Sequence, residues 1–143
     1  MKIREIMSRT VVRIHPEESV TVAARALEHY NIGALPICGS DGRLRGMVTD
    51  RDLVTRCLAS GKNPDNTPVK DVMTKRLYVA RPDMDVDAVA MIMGREQIRR
   101  LPVMESGKLL GMVSLGDLAQ TEQTVTKAGD ALADISNNLS VKD

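Results

Sequence analysis

The feature that most constrains this chain is an internal repeat. Residues 46–53 read Gly-Met-Val-Thr-Asp-Arg-Asp-Leu, and residues 111–118 read Gly-Met-Val-Ser-Leu-Gly-Asp-Leu. Upstream of these motifs, identical residues recur at an offset of 66, namely Met7/Met73, Pro16/Pro82, Val20/Val86, Ala24/Ala90, Ile32/Ile98, Leu35/Leu101 and Pro36/Pro102. Chance does not produce such a run, so the chain contains two copies of one supersecondary unit.

Each copy is predicted to have the element order β-α-β-β-α. Helical spacing of apolar residues follows a good N-cap at Ser19, and Asp85 stands at the equivalent place in the second copy. Turn residues at 39–42 predict a hairpin, and Pro36 predicts an edge or a bulge in its first strand. The predicted elements of the first copy are strands at 11–14, 35–38 and 44–49 and helices at 20–30 and 50–60.

The repeat also predicts the domain organisation. We expect a first repeat over 1–61, a polar, proline-bearing linker over 62–68, a second repeat over 69–120 and a tail over 121–143. The tail is predicted to be an amphipathic helix, because one apolar stripe recurs at steps of three and four through Val125, Ala128, Leu132, Ile135 and Leu139. Either the chain's own sheet or a partner subunit could cover that stripe.

Composition limits the classes of function. The formal net charge is +1, and Tyr30 and Tyr78 are the only aromatic residues, so nucleic-acid binding is disfavoured. No apolar run approaches the roughly 18 residues of a membrane span, and we expect no membrane association. Hydrophobic residues at 43% and charged residues at 27% are ordinary for a globular domain. A reduced, cytoplasmic protein is therefore expected.

Metal binding and catalysis are not expected. Cys38 and Cys57 are too few for a disulfide framework or a zinc site, and Cys38 is interpreted as a small buried hydrophobe. His15 and His29 have no other ligand at metal-binding spacing. The sequence contains neither a nucleophile–base pair nor a Gly-rich phosphate loop of the P-loop type.

The repeated motif carries the candidate chemistry. In each copy a short buried strand runs into a helix through a hydroxyl residue, and a carboxylate follows three positions later: Thr49 with Asp52, and Ser114 with Asp117. Such pairs form capping boxes. They could also grip a phosphorylated sugar together with open N–H groups. Caps tolerate many residue types, so retention of a hydroxyl and an Asp in both copies favours a ligand.

The repeated motifs resemble those of a known family. The doubled Gly-Met-Val-Thr/Ser-x-x-Asp-Leu turn, with Ile-Gly-Ala-Leu-Pro-Ile at 32–37, is similar to the CBS domain pair, named for cystathionine β-synthase. The resemblance covers roughly residues 1–120 and is of a small stand-alone prokaryotic type. It implies an α/β (α+β) fold in which two tandem β-α-β-β-α repeats pack about a pseudo-twofold axis. Two clefts would lie between the repeats, and the C-terminal helix would be additional.

The resemblance also implies a ligand. Clefts of this family often bind AMP, ADP or ATP, and in some members S-adenosylmethionine or dinucleotides. The motif carboxylates Asp52 and Asp117 are implied to hold ribose hydroxyls, while Thr49 and Ser114 are implied to contact ribose or phosphate. Residues implied to line the base and phosphate region are Ile32, Gly33, Ala34, Ile98, Arg99 and Arg100.

The segment that begins each repeat completes the implied site. Residues 7–10 (Met-Ser-Arg-Thr) and 73–76 (Met-Thr-Lys-Arg) are implied to wall the adenine. By the pseudo-twofold axis, each cleft should take its base wall from one repeat and its Asp from the other. These are expectations from the family resemblance.

The residue chemistry fits this reading independently. One ionised carboxylate can accept both hydroxyls of a ribose diol, and Arg is the better bidentate partner for phosphate. Arg51, Arg99 and Arg100 lie within or beside the motifs, although each could equally be solvated surface charge. The copies differ, because Gly116 replaces Arg51 while Gly-Ala at 33–34 replaces the arginine pair. The two clefts should therefore differ in phosphate preference.

The function expected from these observations is a non-enzymatic regulatory module that senses adenine nucleotides (AMP, ADP or ATP). S-adenosylmethionine and NAD are less favoured ligands, and no cofactor is required. A homodimer is expected from the family, together with an unknown protein target in trans. The alternative is a structural dimerisation or protein-interaction domain with vestigial or empty clefts.

Overall fold

The computed structural model describes residues 1–120 and 125–142, and within the last helix it describes side chains from 126 to 136. The helices are α1 (Val20–Tyr30), α2 (Asp50–Asp52), α3 (Val86–Glu96), α4 (Leu115–Ala119) and α5 (Val125–Lys142). The strands are β1 (Ala34–Cys38), β2 (Leu44–Thr49), β3 (Arg100–Glu105) and β4 (Lys108–Ser114). A π-helix over Leu53–Leu58 continues α2, and 3-10 helices lie at Ile3–Glu5 and Val69–Asp71. The predicted α/β (α+β) class is confirmed.

The chain forms two compact units that are not consecutive stretches of sequence. The N-repeat unit contains Val12–Leu77 and Gly107–Leu109, and the C-repeat unit contains Met1–Val11, Tyr78–Ser106 and Leu110–Asp143. The first residues of each repeat therefore belong to the unit built on the other repeat. The predicted boundaries at 61, 68 and 120 stay predictions, and residues 121–124 and 143 of the predicted tail lie outside the described residues.

Helix α1 begins and ends where its sequence predicts. The Ser19 hydroxyl accepts a hydrogen bond from the Val22 N–H at 3.2 Å, which satisfies one of the open donors of the first turn. The helix ends at Asn31, whose φ of 52° is left-handed, a conformation that Asn tolerates better than most residues.

The equivalent cap on α3 is not formed, so that prediction was wrong. Asp85 makes no side-chain hydrogen bond to the helix. Its Oδ1 lies instead 3.1 Å from Lys2 Nζ, within the same unit. A carboxylate that faces an ammonium group gains a charged partner that a neutral Ser would not, which explains why the two N-cap positions behave differently.

Each repeat contributes one two-stranded sheet. Strands β1 and β2 pair antiparallel with Leu35 opposite Val48, and β3 is joined to β4 in the second sheet. The register of the first pair shifts between Ile37 and Cys38, which confirms the bulge that Pro36 predicts.

The strand predicted over 11–14 was wrong, because it reduces to a single parallel bridge. Ile14 pairs with Ile37, and the second repeat has the equivalent bridge between Ala80 and Val103. Only one residue pairs because Pro16 follows closely and has no N–H with which to continue a ladder.

Each unit is stabilised by its own aliphatic core. The 3-10 helices anchor them, since Ile3 and Val69 are both fully buried. The N-repeat core is formed by Val20, Ala23, Leu27, Leu35, Ile37, Val48, Leu53, Cys57, Val69 and Val72. The C-repeat core includes Ile3, Met7, Val86, Val89, Met93, Leu101, Val103, Val113, Leu118, Ala128 and Ala131.

Helix α5 packs on α3 and α4 of its own unit. The buried residues of its apolar stripe are therefore covered by helices of the chain itself, whereas the sequence suggested either the chain's own sheet or a partner subunit. Ala128, Ala131 and Ile135 are buried, whereas Leu132, a member of the predicted stripe, is 41% exposed in this chain. Small residues allow a close crossing here: a Cβ at Gly94 would lie 2.9 Å from Asp134 Oδ2. The side chains of Val125 and Leu139, the ends of the predicted stripe, lie outside the described residues.

Among the helices that the structure describes, none combines the length and the apolar character that crossing a lipid bilayer requires.

Candidate ligand-binding site

Both repeated motifs form capping boxes. Thr49 Oγ1 accepts from the Asp52 N–H at 3.1 Å, and Asp52 Oδ2 accepts from the Thr49 N–H at 3.0 Å. Ser114 and Asp117 repeat the arrangement at 3.1 Å and 2.8 Å. The interpretation of these pairs as caps is therefore confirmed. A carboxylate offers about four acceptor sites, so the cap leaves capacity for another donor in principle.

Asp52 is held by more than its cap. The residue is only 8% exposed, and its Oδ2 also accepts from the Thr74 hydroxyl at 3.4 Å. Its Oδ1 lies 3.7 Å from Arg56 Nε, in an ion pair one helical turn away. A buried carboxylate needs such partners, because desolvating it without them costs several kcal/mol. Asp52 is thus a structural centre of the N-repeat unit.

The segments that begin each repeat lie beside the motif strand of the other copy. In the N-repeat unit, Met47 and Thr74 exchange backbone hydrogen bonds at 3.0 and 2.7 Å. In the C-repeat unit, Ser8 and Met112 do the same at 2.8 and 2.9 Å. The expected combination of one repeat's first segment with the other repeat's Asp motif is therefore present. The role of these segments as an adenine wall stays a prediction.

This crossing explains why the motif begins with glycine. A Cβ at Gly46 would lie 2.7 Å from the Thr74 carbonyl oxygen, and a Cβ at Gly111 would overlap the Ser8 carbonyl oxygen. Backbone atoms cannot swing aside as a long side chain can. The glycines therefore serve close packing of the crossing segments, a local requirement that both units share.

The residues predicted for the base and phosphate region lie next to the motif of their own copy. The Gly33 carbonyl accepts from the Asp50 N–H at 3.2 Å, and the Arg99 carbonyl accepts from the Leu115 N–H at 2.8 Å. Ile32 is 36% exposed, and Ala34 begins β1 and is half-buried. Ile98 is also half-buried and packs against the C-repeat core.

A cavity of about 490 Å³ opens in the C-repeat unit beside this junction. From the second repeat it is lined by Arg99, Arg100, Ser114, Leu115, Gly116 and Ala119. From α5 it is lined by Ala128, Gly129 and Leu132. The structure thus brings together three of the predicted site residues, Arg99, Arg100 and Ser114. The contribution of α5 was missed from sequence, although a glycine in the middle of a predicted helix was a signal for it.

The remaining predicted residues have other surroundings. Ile32, Gly33, Ala34, Thr49, Arg51 and Asp52 belong to the N-repeat unit. Arg51 is exposed, and its N–H donates to Asp50 Oδ1 at 2.8 Å. Asp117 follows the lining residue Gly116 directly and is half-buried. Its Oδ2 accepts from the Ser114 N–H at 2.8 Å as part of the cap.

The cavity combines a cationic edge with an apolar wall. Arg99 and Arg100 are exposed, and among the described residues neither guanidinium forms an ion pair. Opposite in character, Leu115, Ala119 and Leu132 present carbon atoms to the same space. Such a lining suits a ligand that carries negative charge at one end and an apolar surface at the other.

The described residues offer no alternative metal chemistry. Within 1–120 and 125–142, no group of three or more His, Cys, Asp or Glu residues could hold a metal ion. Cys38, on β1, is buried as predicted, and that burial is the main reason why the pKa of its thiol lies above the ordinary value. A thiol with a raised pKa is a poor nucleophile at neutral pH.

Comparison with known proteins decides the family. The CBS domain model matches residues 3–59 and 69–122, which together span most of the chain. This chain belongs to the CBS domain family. The CBS domain-containing protein YhcV of Bacillus subtilis is 36% identical over 135 residues, covering 94% of this chain and 95% of that protein. The chain is therefore a CBS pair, a regulatory module.

Solved structures agree with the CBS fold. Hypoxic Response Protein I, solved with two coordinated zinc ions, is 35% identical with a TM-score of 0.77, covering 84% of this chain and 98% of that one. The CBS domain pair of protein MJ0100, in complex with 5′-methylthioadenosine and S-adenosyl-L-methionine, is 29% identical with a TM-score of 0.75. That alignment covers 84% of this chain and 94% of the other.

Proposed function

We propose that this CBS pair is a non-enzymatic regulatory module that binds adenine nucleotides (AMP, ADP or ATP). The observation that carries the proposal is the cavity of the C-repeat unit, where Arg99, Arg100 and Ser114 meet an apolar wall. Its volume of about 490 Å³ lies within the range typical of small-molecule sites. A nucleotide has the matching asymmetry, since its phosphates are anionic and its base presents a flat apolar face.

Each group of the nucleotide has a candidate partner. The guanidinium groups of Arg99 and Arg100 are suited to bidentate contacts with phosphate oxygens. The Ser114 hydroxyl can donate to ribose or phosphate, and the Asp117 carboxylate, adjacent in sequence to the lining, is assigned to the ribose diol. Asp52 and Thr49 are assigned the same roles in the N-repeat unit, where Arg51 would be the phosphate partner.

Charge ranks the ligands. The adenosine compounds bound by the MJ0100 pair support recognition of an adenosine moiety within this fold. S-adenosylmethionine, however, carries a sulfonium cation, which two neighbouring arginines disfavour, whereas each added phosphate is favoured. The order of affinity expected at the C-repeat cavity is therefore ATP, then ADP, then AMP, ahead of NAD and S-adenosylmethionine.

The regulatory output is proposed to pass through another protein. A nucleotide that contacts residues from both the strand junction and a helix changes the relative stability of their arrangements, and a bound target can sense that change. A homodimer in the cytoplasm is the assembly proposed for this output, and an unidentified protein acting in trans is its partner.

Isothermal titration calorimetry tests the proposal directly. ATP, AMP, NAD and S-adenosylmethionine would be titrated into wild type, into Arg99→Gln with Arg100→Gln, and into Arg95→Gln. Arg95 is a matched control, because it is an exposed arginine of the same unit that pairs with Glu96 away from the cavity. We expect ATP to bind wild type and Arg95→Gln alike, and the double variant about a hundredfold more weakly. The absence of binding by every compound would overturn the proposal.

A second candidate function is a structural pairing or interaction module with empty clefts. One specific observation favours it: both Asp residues already serve capping boxes, and Asp52 also has Thr74 and Arg56 as partners. Val54 and Leu58, exposed by 55% and 59%, would be available to a partner. Under this function, sedimentation velocity would show the same assembly with and without ATP, and no nucleotide would bind.

A further inference from the structure

Helix α5 supplies one wall of the cavity, and its residues follow the two CBS repeats in sequence. The family model ends at residue 122, whereas Ala128, Gly129 and Leu132 lie beyond it. The helix itself is well anchored, since Ala128 and Ala131 join the C-repeat core and Ile135 is buried. The cavity is therefore enclosed on one side by a segment that the repeat motif does not provide.

The face of α5 toward the cavity has two unusual features. A Cβ built at Gly129 meets no heavy atom within 4 Å, so the helix carries an open gap at this position rather than a close contact. Leu132, one turn later, is a large apolar residue that is 41% exposed, although its neighbours Ala131 and Ile135 are buried. Neither feature serves packing, because glycine weakens a helix and an exposed leucine gains little from folding.

We propose that α5 forms part of the nucleotide site, with the base of the ligand lying against Gly129 and Leu132 while its phosphates meet Arg99 and Arg100. This inference rests on the proposed function and adds a named subsite to it. The gap at Gly129 gives a flat ring access to the helix backbone, and Leu132 covers the ring's apolar face. A ligand held in this way bridges α5 and the second repeat.

Bridging makes ligand binding and α5 docking mutually dependent. A ligand that touches α5 only when the helix is docked stabilises the docked arrangement by linkage. A ligand in the cavity should therefore stabilise the docked position of α5. Binding would then be reported as a change in the stability of the C-terminal helix.

The variants that test the subsite are Gly129→Leu and Leu132→Ser, with Ala133→Leu as the matched control. Gly129→Leu adds a side chain to open space and improves helix propensity, so the protein should fold at least as well. Ala133→Leu adds the same type of side chain to an exposed position of the same helix that does not line the cavity. Binding of ATP and of inorganic tripolyphosphate would be measured by calorimetry on the full chain.

We expect Gly129→Leu to weaken ATP binding at least tenfold, Leu132→Ser to weaken it several-fold and Ala133→Leu to leave it unchanged. Tripolyphosphate, which has the charge without the base, should be insensitive to Leu132→Ser. In hydrogen exchange, ATP should slow the amides of residues 126–136 in wild type but not in Gly129→Leu.

The outcomes separate this inference from the proposed function. If ATP binds wild type, weakens on loss of Arg99 and Arg100 and is unaffected by Gly129→Leu, the α5 subsite is wrong while the nucleotide site stands. If ATP and tripolyphosphate respond equally to Leu132→Ser, the base does not lie on α5. If no nucleotide binds wild type, both proposals are overturned together.

Discussion

The two repeats share a framework but differ in what surrounds their motifs. Both units have a hydroxyl–carboxylate capping box and a motif glycine that packs against the backbone of the crossing segment. In both, the first N–H of the motif helix also donates a hydrogen bond to a backbone carbonyl oxygen. The N-repeat unit then buries its carboxylate against Thr74 and Arg56. The C-repeat unit instead has Arg99 and Arg100 beside a cavity, and neither forms an ion pair with the residues that the structure describes.

This difference separates the parts of the motif that build the fold from those that could bind a ligand. The cap and the glycine satisfy local requirements that are identical in both copies. Features that vary between copies, such as Gly-Ala at 33–34 against Arg99 and Arg100, are not needed for folding and are free to serve recognition. We therefore expect exchanges between the repeats to alter binding, whereas changes at shared positions should alter stability.

The largest effect is expected from exchanging the residue pairs at which β1 and β3 begin. Replacing Arg99 by Gly and Arg100 by Ala gives the second repeat the residues of the first. Loss of two charge-assisted contacts of about 1.5–3 kcal/mol each should weaken ATP binding a hundredfold or more. Calorimetry measures the affinity, and unchanged thermal unfolding of the unliganded protein serves as the control.

The reciprocal exchange sharpens this test. Gly33→Arg with Ala34→Arg gives the first repeat the arginine pair, and the φ of Gly33 is not left-handed, so a side chain there brings no left-handed backbone strain. We expect this variant to bind additional ATP at the N-repeat unit. Equal affinities for wild type and both exchanges would mean that these positions do not distinguish the repeats.

The shared glycines should affect stability rather than binding. Gly46→Ala and Gly111→Ala each force a methyl group against a backbone carbonyl oxygen, and overpacking of this kind costs about 1–3 kcal/mol of unfolding free energy. Gly129→Ala is the matched control, because its Cβ meets open space within a helix, where Ala is favoured by about 1 kcal/mol. Urea unfolding measures all three. If Gly111→Ala lowered the free energy of unfolding and Gly46→Ala left it unchanged, the two crossings would not be equivalent.

The two motif carboxylates should differ in their contribution to stability. Asp52→Ala removes the carboxylate of a residue that is 8% exposed and leaves the Thr49 N–H and Thr74 hydroxyl without their acceptor, which we expect to cost about 2 kcal/mol. Asp117→Ala, at a half-buried position, should cost about 1 kcal/mol, as loss of a helix cap does. Chemical unfolding of both variants provides the comparison, and a larger loss at Asp117 would contradict it.

Much of the fold could be predicted because its signals are local and doubled. The Ser19 cap, the bulge at Pro36 and the hairpin depend on residues close in sequence, and the repeat let each copy check the other. The strand predicted over 11–14 is reduced to one bridge because only Ile14 meets a neighbouring strand, a tertiary contact that sequence does not identify, and Pro16 prevents further pairing. The cap at Asp85 failed for a related reason, since Lys2 is distant in sequence and offers the carboxylate a stronger partner.

The site was predictable only in part. Arg99, Arg100 and Ser114 were identified because they belong to, or stand beside, a repeated motif. Gly129 and Leu132 were not, because α5 has no second copy with which to compare it. Helical periodicity placed Leu132 on the apolar stripe, but the residue that is buried at the close crossing beside Gly94 is Ala131. Tertiary contact, rather than pattern, decides which of two adjacent residues faces the core.

The smallest effect is expected at the hairpin turns, where the repeats differ by one residue. In the first turn, the Arg43 backbone N–H donates to Asp41, and this is the main reason why the pKa of that carboxyl lies below its ordinary value of 3.8. The second turn has positive φ at Ser106 and Gly107 and contains no carboxylate. Because an acid with a lowered pKa stabilises the fold above its unfolded pKa, the contribution of Asp41 is present at neutral pH and lost as pH falls through the folded value.

Asp41→Asn should therefore lower the unfolding midpoint slightly at pH 7, and the difference from wild type should shrink as the pH falls below 3.8. Ser106→Asn supplies the comparison, because Asn tolerates the left-handed conformation and should raise stability by about 0.5 kcal/mol. That gain involves no titrating group, so it should be the same at both pH values. Thermal unfolding at pH 7 and pH 3 measures both variants. A pH-independent effect of Asp41→Asn would mean that the turn depends on the shape of the side chain and not on its charge.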